Sequence, residues 1–198
     1  AGKTVVFLGT EKKLIAALAL ADQIRPNTAE ALSALQGMGQ NHLIMLTGDN
    51  EATAANIAKG LGIDAFHAEL LPEDKVGLIK SLEKRYGSVV MVGDGVNDAP
   101  ALASATIGIA MGAAGTDVAL ETADIALMSD DISKVPEAIK LSRRTMRIIQ
   151  QNIIFSLGVV VLLVAATFSG YLNLTLGVVG HEGSALIVIA NGMRLLKQ

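Results

Sequence analysis

Ile153 to Leu172 is a run of 20 residues without one charged side chain. A helix of that length rises about 30 Å, the thickness of a bilayer's hydrocarbon core. A second run, the 23 residues from Leu174 to Leu196, follows almost at once, with Asn173 and the glycines around it offering a tight turn. In lipid a backbone must satisfy its own hydrogen bonds, so two such runs in tandem read as a helical hairpin across a membrane. The competing reading, two helices buried in a soluble core, fails on size: the rest of a chain this small could not cover them. Arg143, Arg144 and Arg147 precede the first span, and Arg194 and Lys197 stand at the end of the second. That charge bias puts both ends on the cytoplasmic side and the link from Ser169 to Asn173 outside.

Upstream of the hairpin the pattern changes to short apolar runs alternating with helical stretches. Thr4 to Leu8 and Lys13 to Ala21 suggest a β-hairpin. Pro26 opens a helix over 27–36. Strands are expected at 43–46, 65–69, 89–92, 107–111 and 125–128, with helices over 51–61 and from Pro72 to about Arg85. Such alternation predicts an α/β, doubly wound parallel sheet. Hydrophobic residues make up 51% of the chain but aromatics only 3%. The apolar content is concentrated in the last quarter, so it marks a membrane part rather than one large core. A net charge of −3 argues against nucleic acid as a partner. With no cysteine in the chain, disulfides are impossible, and a metal held here needs harder ligands than thiolate. The chain starts abruptly in a strand and reads as the C-terminal piece of something longer.

The densest motif is Gly93-Asp94-Gly95-Val96-Asn97-Asp98, at the end of the 89–92 strand. Asp98 is placed to cap a following helix, and Pro100 suits its first turn. Two carboxylates and an amide at a strand end form a hard oxygen site suited to Mg²⁺. A lone Gly-Asp-Gly would more readily be an acidic turn. Three more pieces occur in order before it: Asp22-x-x-Arg25-Pro26, Thr47-Gly48-Asp49 and Pro72-Glu73-Asp74-Lys75.

Together, and followed by two spans, these pieces resemble the second half of a P-type ATPase, over essentially the whole chain. The resemblance implies a haloacid-dehalogenase-like phosphorylation domain that uses ATP and Mg²⁺ and forms an aspartyl-phosphate. Asp94 would hold Mg²⁺, with Asp98 anchoring the ion or its waters. Asn97 would donate its amide hydrogens to a phosphoryl oxygen. Lys75 would supply a point charge to the same oxygens, and Thr47 a hydroxyl. Gly48 would let the phosphate come close, and Asp49 would orient Lys75 or the hinge. Asp22 and Arg25 fall where a nucleotide domain would rejoin the phosphorylation domain. Glu73 and Asp74 read as first-turn acids favouring the helix dipole. The division implied is 1–20 as the end of a nucleotide-binding domain, 21–142 as the phosphorylation domain lacking its nucleophile strand, and 143–198 as the last two membrane helices. The family's Asp-Lys-Thr-Gly-Thr motif does not occur in this chain, which alone is therefore expected to be inactive.

The second span carries His181-Glu182-Gly183-Ser184-Ala185. An imidazole and a carboxylate inside a membrane helix cost about 2–3 kcal/mol each, which favours a functional reading. Nitrogen with oxygen suits borderline divalent ions such as Co²⁺ or Zn²⁺. The motif resembles the His-Glu-Gly-Gly-Thr of cobalt-type heavy-metal P-type ATPases, with Ser184 in place of the second glycine and Ala185 in place of the threonine. The expected transported-ion residues are thus His181, Glu182 and Ser184. Asn152 and Ser156 in the first span read as helix-packing residues. The function implied is export of a divalent transition metal at the plasma or inner membrane, working with the upstream part of the same pump. Alternatives are a membrane-anchored phosphatase of the same fold, or a truncated non-catalytic partner fragment.

Overall fold

The computed structural model describes residues 4–10, 13–20, 24–40, 42–63, 65–95, 97–112 and 117–196. Asp22 and Lys197 lie outside the described residues. The chain divides into two compact units, Ala1–Pro136 and Glu137–Gln198.

The first unit opens with the expected hairpin. Strands β1 (Thr4–Thr10) and β2 (Lys13–Leu20) run antiparallel, with the register shifting between Leu8 and Gly9. A Cβ on Gly9 would lie 2.9 Å from the carbonyl oxygen of Lys13, so the irregularity needs a glycine. Both faces of the hairpin are apolar and open: Phe7 on one is 66% exposed and Leu8 on the other 56%.

The alternation that follows is α1 (Thr28–Gly37), β3 (Ile44–Leu46), α2 (Glu51–Leu61), β4 (Ala65–His67), α3 (Pro72–Tyr86), β5 (Val90–Gly93), α4 (Ala99–Ser104), β6 (Ile107–Met111), α5 (Asp117–Thr122) and β7 (Ile125–Leu127). Local chemistry sets the helix bounds. Asn50 accepts from the Thr53 N–H at the start of α2, and Gly62 ends it at φ 67°. At α3, Pro72 takes the first turn and the Asp74 carboxylate accepts from the Leu71 N–H. All pairings among these strands are parallel, but they form two ladders, β3-β4 and β5-β6-β7. The doubly wound fold is present, with its sheet in two hydrogen-bonded pieces.

Ile79 of α3, Met91 of β5, Ala101 and Leu102 of α4 and Ala110 of β6 form the core, and Leu46 of β3 packs against them. A Cβ on Gly108 would fall 2.6 Å from the Leu102 carbonyl oxygen, so α4 rests directly on the β6 backbone. The strands thus end against fixed helices, and the loops leaving β3 and β5 start from rigid ground.

In the second unit, α6 (Lys134–Phe168, its first turn belonging to the first unit) has 35 residues. A turn leads to α7 (Leu174–Gly192), and a 3₁₀ turn, Met193–Leu196, closes the chain. The first span had been expected to reach Leu172, but the helix stops at Phe168 and Gly170 turns the chain at φ 75°. Asn173 caps α7 by accepting from the Leu176 N–H at 2.9 Å. Both helices are long and apolar enough to cross a membrane, and only 6% and 0% of their most apolar windows are buried. Helices in a soluble core would be covered; these are not.

The two helices meet along narrow stripes. On α6 the covered positions include Ile148, Asn152, Ser156, Val159 and Leu163; on α7 they include Gly177, Gly180, Ser184, Val188 and Asn191. A Cβ on Gly180 would come within 3.0 Å of Leu163 Cδ2, so the glycine lets the helices approach closely.

Candidate active site and membrane ligands

The site lies at the C-terminal ends of β3 and β5, where open parallel sheets place their chemistry. After β3, the Thr47 hydroxyl donates to Asp49 Oδ2 at 2.9 Å and accepts from the Asp49 N–H at 3.1 Å. Backbone bonds Thr47 N to His67 O (3.0 Å), Leu70 N to Thr47 O (3.1 Å) and Glu69 N to Asp49 O (2.8 Å) fasten this loop to the one after β4. A Cβ on Gly48 would reach the Leu70 carbonyl oxygen at 3.4 Å, a tight fit.

The centre of the site is an ion pair. Lys75 Nζ, on the first turn of α3, donates to Asp98 Oδ1 at 2.6 Å, with the two side chains 14% and 16% exposed. Asp98 in turn packs on Gly93, where a Cβ would lie 2.6 Å from Asp98 Oδ2 and 2.7 Å from its Cβ. Gly93 is therefore glycine because the carboxylate occupies its side-chain space. Asp94 Oδ1 accepts from the Asn97 N–H at 3.1 Å, and Asn97 Nδ2 donates to Asp94 Oδ2 at 3.3 Å. Gly95 turns the loop between them at φ 79°.

Asp49 was expected to orient Lys75 or the hinge; Lys75 pairs with Asp98, while Asp49 is bonded to Thr47 within the loop after β3. Asp98 stands at the N-cap of α4 but its carboxylate makes no cap bond, because one oxygen holds Lys75 and the other lies on Gly93. Asp98 therefore holds the Lys75 ammonium through one oxygen and rests on Gly93 through the other. The Asn97 amide, expected on a phosphoryl oxygen, lies against Asp94.

Arg25 donates through Nε to both oxygens of Asp130, at 2.9 and 3.0 Å, in a pair more than half exposed. The sequence reading missed Asp130, whose one signal was the acidic pair Asp130-Asp131 ahead of a helix. Asp131 Oδ1 accepts from the Ser133 N–H at 3.0 Å, and bonds from Ser133 hold its carboxyl below its ordinary value of 3.8.

On α7, successive residues turn about 100°, so neighbours diverge. His181 and Glu182 are exposed, outside the stripe that meets α6. Ser184 lies within that stripe, and its hydroxyl donates to the His181 carbonyl oxygen at 2.7 Å. The structure separates Ser184 from Glu182. Among the described residues no cluster of three or more His, Asp or Glu side chains forms a complete metal site. A hard ion that keeps most of its waters needs only one or two carboxylates, and the Asp94 loop fits that requirement.

A parallel α/β unit with a lysine and aspartates converging at two strand ends defines a class. Residues 1–106 match the family model for haloacid dehalogenase-like hydrolases, and the chain belongs to that family. Within it, the likeness is to metal-transporting P-type ATPases. The chain is 48% identical over 196 residues to a probable cadmium-transporting ATPase of Alkalihalophilus pseudofirmus, covering 99% of this chain and 27% of that one. It is 51% identical to the zinc-transporting ATPase of Bacillus subtilis, covering 99% and 30%. The crystal structure of a zinc-transporting PIB-type ATPase in its E2·Pi state superposes with a TM-score of 0.86 at 43% identity, over 98% of this chain and 32% of that chain. The chain thus spans less than a third of the length of these relatives.

Proposed function

We propose that this chain is the phosphorylation-domain and final-hairpin portion of an ATP-driven pump that moves a divalent transition metal out of the cytoplasm through an aspartyl-phosphate. The carrying observation is the Lys75–Asp98 pair seated on Gly93 beside the Asp94 turn, in one chain with two apolar helices. Phosphoryl transfer is catalysed mainly by positioning and charge neutralisation. Lys75 offers its charge to the phosphoryl oxygens while Asp98 keeps the ammonium in place. Thr47 and the Gly48 N–H face the same group, and Asn97, whose amide rests on Asp94, holds that carboxylate in place. Asp94 binds Mg²⁺, which when bound neutralises the phosphoryl charge. Residues 1–20 close a nucleotide-binding domain that receives ATP, 21–142 form the phosphorylation domain, and 143–198 the last two spans. Asp22 and Arg25 lie at the junction with the nucleotide domain, with Arg25 held in its exposed pair.

In the membrane, His181 and Glu182 are the ligands this chain offers the transported ion. Glu182 points away from α6 and His181 to the side of it, so another helix is placed to complete the ion's ligands. Nitrogen and oxygen together favour Zn²⁺, Cd²⁺ or Co²⁺ over hard ions, and the named relatives are a probable cadmium-transporting and a zinc-transporting ATPase. Ser184 supports the helix rather than the ion.

The test is Asp94→Asn in the full-length protein. Loss of the formal charge should raise the Mg²⁺ needed for phosphoenzyme formation at least tenfold while metal binding to the membrane part persists. Unchanged Mg²⁺ dependence would remove Asp94 from the role. An unmutated protein that neither forms a phosphoenzyme nor responds to Zn²⁺, Cd²⁺ or Co²⁺ would refute the whole reading.

A further inference from the structure

The end of α7 beyond the apolar contacts is tied to α6 by a chain of hydrogen bonds that the site does not use. Asn191 Nδ2 donates to Asn152 Oδ1 at 2.8 Å and to Gln151 Oε1 at 3.4 Å. Arg194 Nη1 donates to Asn191 Oδ1 at 2.9 Å, and the Arg144 guanidinium donates to the Arg194 carbonyl. The Asn191 amide is therefore engaged through both its nitrogen and its oxygen. Arg144 also brings a cation to the C-terminal end of α7, where orphan carbonyls and the helix dipole favour one.

Lipid supplies no hydrophobic force to fix one apolar helix against another, so rotation and register depend on close packing and on polar contacts. Two features fix them here: Gly180 on Leu163, and the amide pair at Asn152 and Asn191. At about 100° per residue, Gly180 and Ser184 fall within about 20° of Asn191 around the helix, His181 about 80° to the side, and Glu182 about 180° away. Holding Asn191 on α6 thus turns Glu182 directly away from α6, consistent with its exposure and with the half-burial of Ser184.

We infer that Asn191 and Asn152 are positioning residues: their amide pair sets the rotation of α7, and so the direction in which His181 and Glu182 meet the transported ion. This rests on the metal-pump reading above. Neither asparagine touches the ion; they act through the helix.

The experiment uses the full-length protein in lipid, with Zn²⁺ and Co²⁺ as the ions. The variants are Asn191→Leu, Asn152→Leu, the double variant, and Asn191→Asp, which keeps acceptors for Arg194 and for a flipped Asn152 amide. Each leucine variant should raise the metal concentration for half-maximal ATP hydrolysis about tenfold, the range for partners that orient metal ligands. Phosphorylation from inorganic phosphate should stay within about twofold, because the cytoplasmic site is untouched. The double variant should be no worse than either single, since both break the same bond. Asn191→Asp should recover most of the metal affinity, and the d–d spectrum of bound Co²⁺ should shift in the leucine variants and return in the aspartate one. Unchanged metal dependence in the leucine variants overturns the inference, as do additive effects in the double. If the leucine variants fail to fold, an Asn191→Asp protein that folds but has lost its metal affinity also overturns it. Failure of the unmutated protein to respond to metal is a different result and sinks the pump reading itself.

Discussion

Gly93→Ala is the most exacting test of the site's architecture. The new methyl would lie 2.6 Å from Asp98 Oδ2, 2.7 Å from Asp98 Cβ and 3.0 Å from Asp98 Cγ. Carbon atoms rest about 3.5–4.0 Å apart, so roughly 1 Å of movement is required. Rotating the carboxylate cannot supply it, because the Asp98 Cβ itself is in the way and moves only with the backbone at the start of α4. A shift of about that size stretches the 2.6 Å Lys75–Asp98 contact beyond hydrogen-bond range. Overpacking costs about 1–3 kcal/mol. Leaving a mostly covered ammonium without its partner raises the total to about 2–4 kcal/mol. Denaturant unfolding of the full-length protein should show that loss in the phosphorylation domain, and phosphoenzyme formation should fall by about two orders of magnitude. The companion variant combines Gly93→Ala with Asp98→Ala. Asp98→Ala removes the carboxylate but keeps the Cβ that the new methyl meets at 2.7 Å, so relative to Asp98→Ala the double should lose only the overpacking cost of about 1–3 kcal/mol. A Gly93→Ala protein with unchanged stability and normal phosphorylation would refute the claim that Asp98 is seated on Gly93.

Other outcomes follow from the membrane face and from the entry to α6. Glu182→Gln should abolish metal-stimulated ATP hydrolysis while sparing phosphorylation from inorganic phosphate, because a dication in a low-dielectric site needs a compensating charge; near-normal turnover would make Glu182 structural. Asp131→Ala should lower the melting temperature at pH 7, since the Ser133 bonds hold the Asp131 carboxyl below 3.8. A depressed folded-state pKa gives stability that is present above the unfolded value and lost as pH falls through the folded one. The gap between variant and parent should therefore close below pH 3.8, and a gap that persists in acid would mean the charge is not what matters there.

The elements marked by local chemistry were legible in the sequence. The residues of α2 could be read directly, because Asn50 and Gly62 stand at its two ends. The six residues of α5 escaped notice, since so short a helix shows no period. Hydropathy extended the first span to Leu172, whereas the chain leaves the helix at Phe168; a turn made of Ser169, Gly170 and Asn173 is as uncharged as the helix before it. The strand ends that carry the site were visible, but their pairings were not. Lys75 and Asp98 are separated by 23 positions, and Arg25 and Asp130 by 105. No spacing rule says which of three aspartates a lysine will find once the strands are laid side by side. Likewise the motif around His181 and Glu182 was plain, while Asn152 read as an ordinary packing residue and its bond to Asn191, 39 positions away, was not visible.

The hairpin of β1 and β2 is a ribbon with no inside. A two-stranded ribbon is marginal in water by itself, and this one shows Phe7 on one face and Leu8 on the other to the surroundings at 66% and 56% exposure. Its strands cannot owe their order to a core of their own, since each pleat presents oily side chains to either hand. Whatever covers such a ribbon orders it, as a page is held flat by those against it. Left uncovered, it offers oily surface on either hand to any chain it meets.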